Sequence, residues 1–167
     1  MSGSVKETAG YLIGFIVFIC VIPFFMFLLA GRPEPGAGRI ICCIILAFIG
    51  IGLSVCSIVY MKRVGQGNPL DAFDHEIGPR TQKLMTGGPY SICRNPMLLG
   101  VFVFYAGLQI LLLSWKALLL FAAFVLIMSY QVKKEEQRLE RDFGREYLEY
   151  KKKTPALLPG LNRFKKH

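Results

Sequence analysis

The stretch Gly88-Pro-Tyr-Ser-Ile-Cys-Arg-Asn-Pro-Met-Leu-Leu-Gly100 decides how the rest of the chain is read. A polar loop precedes it, and an apolar run behind it continues almost unbroken to Tyr130. A Tyr, an Arg and an Asn therefore stand at the mouth of a hydrophobic segment. Glycines beside them admit close approach to the backbone, and prolines fix its direction. A polar segment in that position is a structured entry into a membrane or a binding site, and the sequence points to both.

The chain has 167 residues, 53% of them hydrophobic, and a positive mean hydropathy. That length fits one domain over residues 1–167, and the gathering of apolar residues into long runs is a membrane signature. The net charge of +9 does not indicate nucleic acid, because the basic residues flank the apolar runs. Of the five cysteines, Cys20, Cys42, Cys43 and Cys56 fall inside apolar runs, and none has metal-ligand spacing. They read as small buried hydrophobes, with a reactive Cys93 as the one exception. No metal site is expected.

From Gly10 to Ala30 the chain carries no charge over 21 residues, enough to cross about 30 Å of hydrocarbon at about 1.5 Å per residue. Pro23 is expected to kink this span, and the segment after it is a poor cleavage site, so no removable leader is expected. A turn over 31–38 leads to a second span, 40–61, where Gly50 and Ser54 have the small-xxx-small spacing of close helix contact. The loop 62–96 is long enough to be functional. Its Gly65-Gln-Gly lacks the third glycine of a dinucleotide fingerprint, and Pro69 blocks the helix start such a fingerprint needs. Two shorter apolar runs follow, 97–114 and 117–132. They read as a tight helical hairpin anchored by Trp115 and Lys116, with a single bent helix as the alternative.

The fold expected is thus an all-α polytopic membrane protein with about four transmembrane helices. Four spans put both termini on one side, and Lys plus Arg then divide seventeen to three. The excess places the termini, the loop 62–96 and the tail on the cytoplasmic side. Behind the last span, residues 133–153 keep a helical period but become amphipathic. On a wheel of about 100° per residue, Leu139, Phe143, Tyr147 and Tyr150 fall on the side of Glu136, with Glu135 turned to the edge. A helix lying on anionic lipid accounts for the lysines. It does not account for Glu136, a carboxylate heading an apolar stripe at a membrane boundary, which needs a partner. Pro155 ends the helix.

Gly88-Pro-Tyr90, Arg94-Asn-Pro-Met-Leu-Leu-Gly100, Glu135-Glu136 and Phe143-Gly-Arg-Glu-Tyr-Leu-Glu-Tyr150, with Pro155 beyond, match in order and spacing the motifs of a known family. From Gly65 onward the chain resembles the isoprenylcysteine carboxyl methyltransferase and phospholipid methyltransferase group of membrane enzymes. The resemblance implies a helical methyltransferase using S-adenosylmethionine without a Rossmann domain. The cofactor would come from the cytoplasm and a lipophilic acceptor from the bilayer, with membrane lipids as partners. It also implies cofactor contacts at Asn95, Pro96 and Leu98 and at the Glu135-Glu136 pair, with His75 as a further candidate.

The residues suit that chemistry on their own terms. S-adenosylmethionine needs a carboxylate for its amino group, which Glu136 can supply. It needs cationic or backbone donors for its carboxylate, which Lys83, Leu84 and Met85 can offer, and an aromatic slot for adenine, which Tyr90 can form. Arg94 is assigned to orienting an anionic acceptor, because its planar fork matches a carboxylate or phosphate, and Lys133 can assist it. Two positions depart from the family pattern: Asn95 replaces a His, and Leu98 a Tyr. Asn cannot serve as a base near neutral pH, whereas a carboxylate or thiolate acceptor needs none. Two other classes remain at this level, a nicotinamide-dependent membrane reductase akin to sterol reductases and a non-catalytic membrane scaffold.

Overall fold

The structure is a computed structural model that describes residues 14, 16–65 and 83–157, and every regular element among them is helical. The first is a π-helical segment, Ile16–Val21, that runs into α1, Ile22–Ala30. Where a kink was expected, the winding changes from π to α. Pro23 stands in the first turn of α1, where its missing N–H costs least, and the widened turn ahead of it absorbs the mismatch.

Helix α2, Ala37–Tyr60, starts three residues earlier than expected and is prolonged by a π-turn, Met61–Gly65, into the region read as loop. A short 3-10 turn, Gly88–Ser91, precedes α3, Pro96–Leu112, and α4 runs from Trp115 to Lys153. The hairpin reading of α3 and α4 holds. Leu113 adopts a left-handed conformation (φ 44°), the Gln109 side chain donates to the Ser114 carbonyl at 2.9 Å, and the Ser114 hydroxyl caps Ala117 N–H at 3.5 Å. A Ser cap directly behind the left-handed residue restarts the helix at once.

Helices α2 and α3 form the closest pair. The small residues at Gly50 and Ser54 meet Gly100 on α3, and Gly107 lies against Cys43 and Leu46. A Cβ on Gly50 would come 2.8 Å from Phe104 N, and one on Gly100 2.9 Å from Ser54 N. These are backbone atoms, so the approach depends on glycine. The Ser54 hydroxyl, freed to cross the interface, donates to Met97 O at 2.9 Å. On the other side of α3, Tyr105 and Phe102 pack their rings on Phe121 and Phe124 of α4. Tyr105 is fully buried and donates to Phe18 O at 2.8 Å, which ties the first segment to this core.

Two helices, Ala37–Gly65 and Trp115–Lys153, are long and apolar enough to cross a membrane, and the shorter Ile16–Ala30 and Pro96–Leu112 are apolar as well. Their outer faces carry exposed Phe24, Phe48, Ile41, Leu119 and Leu126. A surface this apolar suits lipid better than water.

Candidate functional site

The site forms where the start of α3 meets the end of α4. Pro96 at the first helical position sets the entry angle of α3, and Asn95 before it is non-helical (φ −126°, ψ 62°). Upstream, Gly88 has φ 56° and lies over the Tyr60 ring, and a Cβ there would come 2.7 Å from that ring. Glycine is required on both counts. The turn it opens buries Tyr90 against Tyr60, with ring centroids 6.0 Å apart, beside Met61 and Met85.

Arg94 is the centre of the site. Its Nε donates to Glu136 Oε1 at 3.0 Å, and Nη2 forms an ion pair with the same oxygen. Its Nη1 donates to the carbonyls of Lys151, at 3.1 Å, and Thr154. The two charged side chains are only 7% and 12% exposed. Lys151 Nζ adds a second cation, 3.1 Å from Glu136 Oε2 and 2.5 Å from Glu140 Oε1. Behind the helix, the chain lies along the α3 entry. The backbone N–H groups of Arg94 and Asn95 donate to Pro155 O at 2.8 Å and Ala156 O at 3.1 Å, and Asn95 Nδ2 also donates to Ala156 O at 3.1 Å. Tyr150 Oη closes the strap with a 2.6 Å bond to Tyr90 O.

Gly144 makes this convergence possible. Fifteen residues of straight helix would hold Glu136 and Lys151 about 22 Å apart, yet their charged atoms meet at 3.1 Å. Helix α4 is broken at Gly144 (φ 51°, ψ −121°), and its last nine residues fold back on the arm before it. The uniform wheel drawn through residues 133–153 therefore fails beyond 143. Its membership survives, because the two arms close on each other: Leu84, Tyr147 and Tyr150 form one buried cluster with Leu139 and Phe143 against it.

Burial governs the phenols here. It pushes Tyr90 well above the ordinary range, with Glu135 adding to the shift. Tyr147 rises for the same reason, helped by Glu136 and opposed by Arg94, and Tyr150 rises against the pull of Arg94. Tyr147 is 1% exposed, and its hydroxyl lies against the Arg94 guanidinium. Burial also raises the thiol of Cys93, which is fully enclosed, so the reactive-thiol exception finds no support. The Lys151 ammonium is held above its usual range by Glu140 first, against the cost of burial, and by Glu136.

A family profile described as phospholipid methyltransferase matches residues 39–146, which contain the α2–α3 pair, the Arg94 turn and the Glu135-Glu136 pair. The chain belongs to the phospholipid methyltransferase family. Among its relatives is the protein-S-isoprenylcysteine O-methyltransferase B of Arabidopsis thaliana, 33% identical over 95 residues, covering 54% of this chain and 48% of that protein. The protein-S-isoprenylcysteine O-methyltransferase of Schizosaccharomyces pombe is 29% identical over 109 residues, 63% of this chain and 46% of that protein. The nickel-cobalt-cadmium resistance protein NccN of Alcaligenes xylosoxydans xylosoxydans is 36% identical over 89 residues, 53% of this chain and 41% of that protein. The match thus spans about half the length of these relatives. No solved structure matches the chain.

Within this family member, Arg94, Asn95, Pro96 and Glu136 come together, although Arg94 and Glu136 received separate tasks on sequence grounds. Tyr90, Leu84 and Met85 are buried beside them, in two neighbouring clusters. Leu98 is half-buried on α3, and Glu135 is half-buried and near enough for its charge to bear on Tyr90. Lys83 and Lys133 are exposed, and neither contributes a side-chain bond to the Arg94–Glu136 pair. His75 lies outside the described residues. Sequence reasoning missed Lys151, Glu140, Tyr60 and the Thr154–Ala156 carbonyls. A glycine inside an amphipathic helix was the available signal for the fold-back that recruits Lys151.

Proposed function

We propose that the chain is an S-adenosylmethionine-dependent methyltransferase whose acceptor is a lipophilic carboxylic acid of the prenylcysteine type. In this reading the four apolar helices span the bilayer, with the site, both termini and the tail on the cytoplasmic side. The observation that carries it is the Arg94–Glu136 ion pair, formed across 42 residues of sequence and shielded from water at the junction of apolar helices and cytoplasmic tail.

The residues fit such a donor. S-adenosylmethionine, when bound, supplies an electrophilic methyl group on a sulfonium, together with an amino group and a carboxylate. Glu136 already carries two cations, Arg94 and Lys151, and can exchange one of them for the donor's ammonium. Leu84, Met85 and the Tyr60–Tyr90 ring pair offer apolar and aromatic walls suited to a nucleobase. Arg94, with Nη1 still on the Lys151 and Thr154 carbonyls, can then offer Nε and Nη2 to the anionic group of the acceptor.

A carboxylate acceptor also suits what the site lacks. Asn95 is not a base, and the nearby phenols are pushed up by burial, so they retain their protons near neutral pH. A carboxylate attacks without losing a proton. Its oxygen forms the new bond to the methyl carbon as the carbon–sulfur bond breaks, giving a neutral ester and a neutral thioether. Opposite charges disappear in that step, which a water-poor pocket favours. The chain's part is to align the acceptor and exclude water.

The test is transfer of a labelled methyl group from S-adenosylmethionine to N-acetyl-S-farnesylcysteine in detergent. The expected product is a base-labile methyl ester. Absence of label in this acid and in a membrane lipid extract would overturn the reading.

A further inference from the structure

Four charges meet at the junction, Arg94 and Lys151 against Glu136 and Glu140, and they balance. Glu136 and Glu140 stand one turn apart on the first arm of α4, and Lys151 reaches both from the folded-back arm. The two oxygens of Glu136 face different cations: Oε1 meets Arg94, and Oε2 lies 3.1 Å from Lys151 Nζ. The main chain of the same lysine holds the other partner, because Lys151 O accepts from Arg94 Nη1 at 3.1 Å. Residue 151 is thus bonded to both members of the Arg94–Glu136 pair. Its own place is fixed by the Gly144 bend and by Tyr147 and Tyr150, buried in the turn before it.

We infer that Lys151 is a positioning residue for the methyl donor: it grips Glu136 by Oε2, so that Oε1 is presented to the donor's ammonium when Arg94 turns to the acceptor. On the methyltransferase reading above, on which this role rests, Arg94 exchanges Glu136 for the acceptor's anion, and Glu136 exchanges Arg94 for the donor's ammonium. Each charge released finds a new opposite charge. Lys151 and Glu140 gain no such partner, so their 2.5 Å pair is the part of the cluster that stays in place through the exchange. Glu140 also holds the Lys151 ammonium above its usual range, which keeps it charged near neutral pH. A carboxylate already fixed at one oxygen gives up little side-chain freedom when the other takes a ligand.

The test is calorimetric titration of S-adenosylhomocysteine and of its deamino analogue, which lacks the α-amino group, into detergent-purified wild type and Lys151→Met. Methionine keeps an unbranched stem and the main-chain carbonyl while it removes the charge. The variant is expected to bind S-adenosylhomocysteine about tenfold more weakly and the analogue within twofold of wild type. Lys151→Gln carries the same expectation and serves if the methionine variant does not fold. Lys151→Arg, which keeps a cation between the two carboxylates, should stay within threefold of wild type for both ligands. A general loosening of the site would weaken both ligands alike, and equal losses overturn the inference. Unchanged S-adenosylhomocysteine affinity in the neutral variants overturns it as well. Tighter binding overturns it by making Lys151 a competitor of the donor's ammonium for Glu136. A wild type that binds neither ligand would instead sink the methyltransferase reading, and this role with it.

Discussion

Arg94 holds four bonds at once, to one carboxylate oxygen and two carbonyls, and each uses the planar geometry of a guanidinium. A lysine keeps the charge and loses the fork. Arg94→Lys is therefore expected to lower acceptor turnover at least tenfold, about 1.4 kcal/mol, while S-adenosylhomocysteine affinity falls no more than threefold. Equal losses in both would refute the assignment of Arg94 to the acceptor. Arg94→Ala is the poorer experiment, because it strands the buried Glu136 and unfastens the Thr154–Ala156 strap, at about 3–5 kcal/mol for the broken buried pair. At this scale the sequence was informative about identity and silent about partnership. Arg94, Tyr90 and Glu136 stood out as polar groups at apolar boundaries. That Arg94 would meet Glu136 directly depends on how α3 and α4 pack, and that Lys151 would join them depends on the bend at Gly144, neither of which side-chain chemistry encodes.

The helices divide into those whose pairing follows from local spacing and one that does not. The α2–α3 contact was legible in Gly50 and Ser54, because small residues four apart on an apolar helix invite close approach. Gly100→Ala is expected to push the Ser54 backbone and destabilise the fold by about 1–3 kcal/mol. Gly52→Ala on the same helix meets nothing within 4 Å and should be neutral or slightly stabilising. Thermal unfolding of the two variants in one detergent separates the contact from propensity. Equal midpoints would refute the packing account. Helix α4 is the other case. Its hydrophobic period runs through Gly144 as if the helix were continuous, so periodicity alone cannot reveal the fold-back. A Cβ at Gly144 would touch nothing, yet φ 51° with ψ −121° is closed to other residues. Gly144→Ala should thus cost about 1–3 kcal/mol through the backbone alone and loosen Lys151 from Glu136 and Glu140. A midpoint equal to wild type would show that the bend does not need glycine.

For the molecule as a whole, apolar run lengths made the helical, membrane-embedded class legible, and the motif order indicated the family to which the chain belongs. The loop 62–96 was less legible, since helix continues to Gly65 and residues 66–82 lie outside the described part. The two halves of the site come from opposite ends of the α3–α4 hairpin, one ahead of α3 and one at the end of the folded-back arm of α4. Long apolar helices bring these ends to the same boundary, and the strap of Thr154–Ala156 fixes them there. The central claim is that this junction receives S-adenosylmethionine with Glu136 as its anchor. Calorimetric titration of S-adenosylhomocysteine into detergent-purified wild type and Glu136→Gln tests it most directly. The prediction is saturable binding to the wild type, none detectable to the folded variant, and no heat with NADPH for either. Equal S-adenosylhomocysteine affinity in the two proteins, or binding of NADPH in its place, would contradict it.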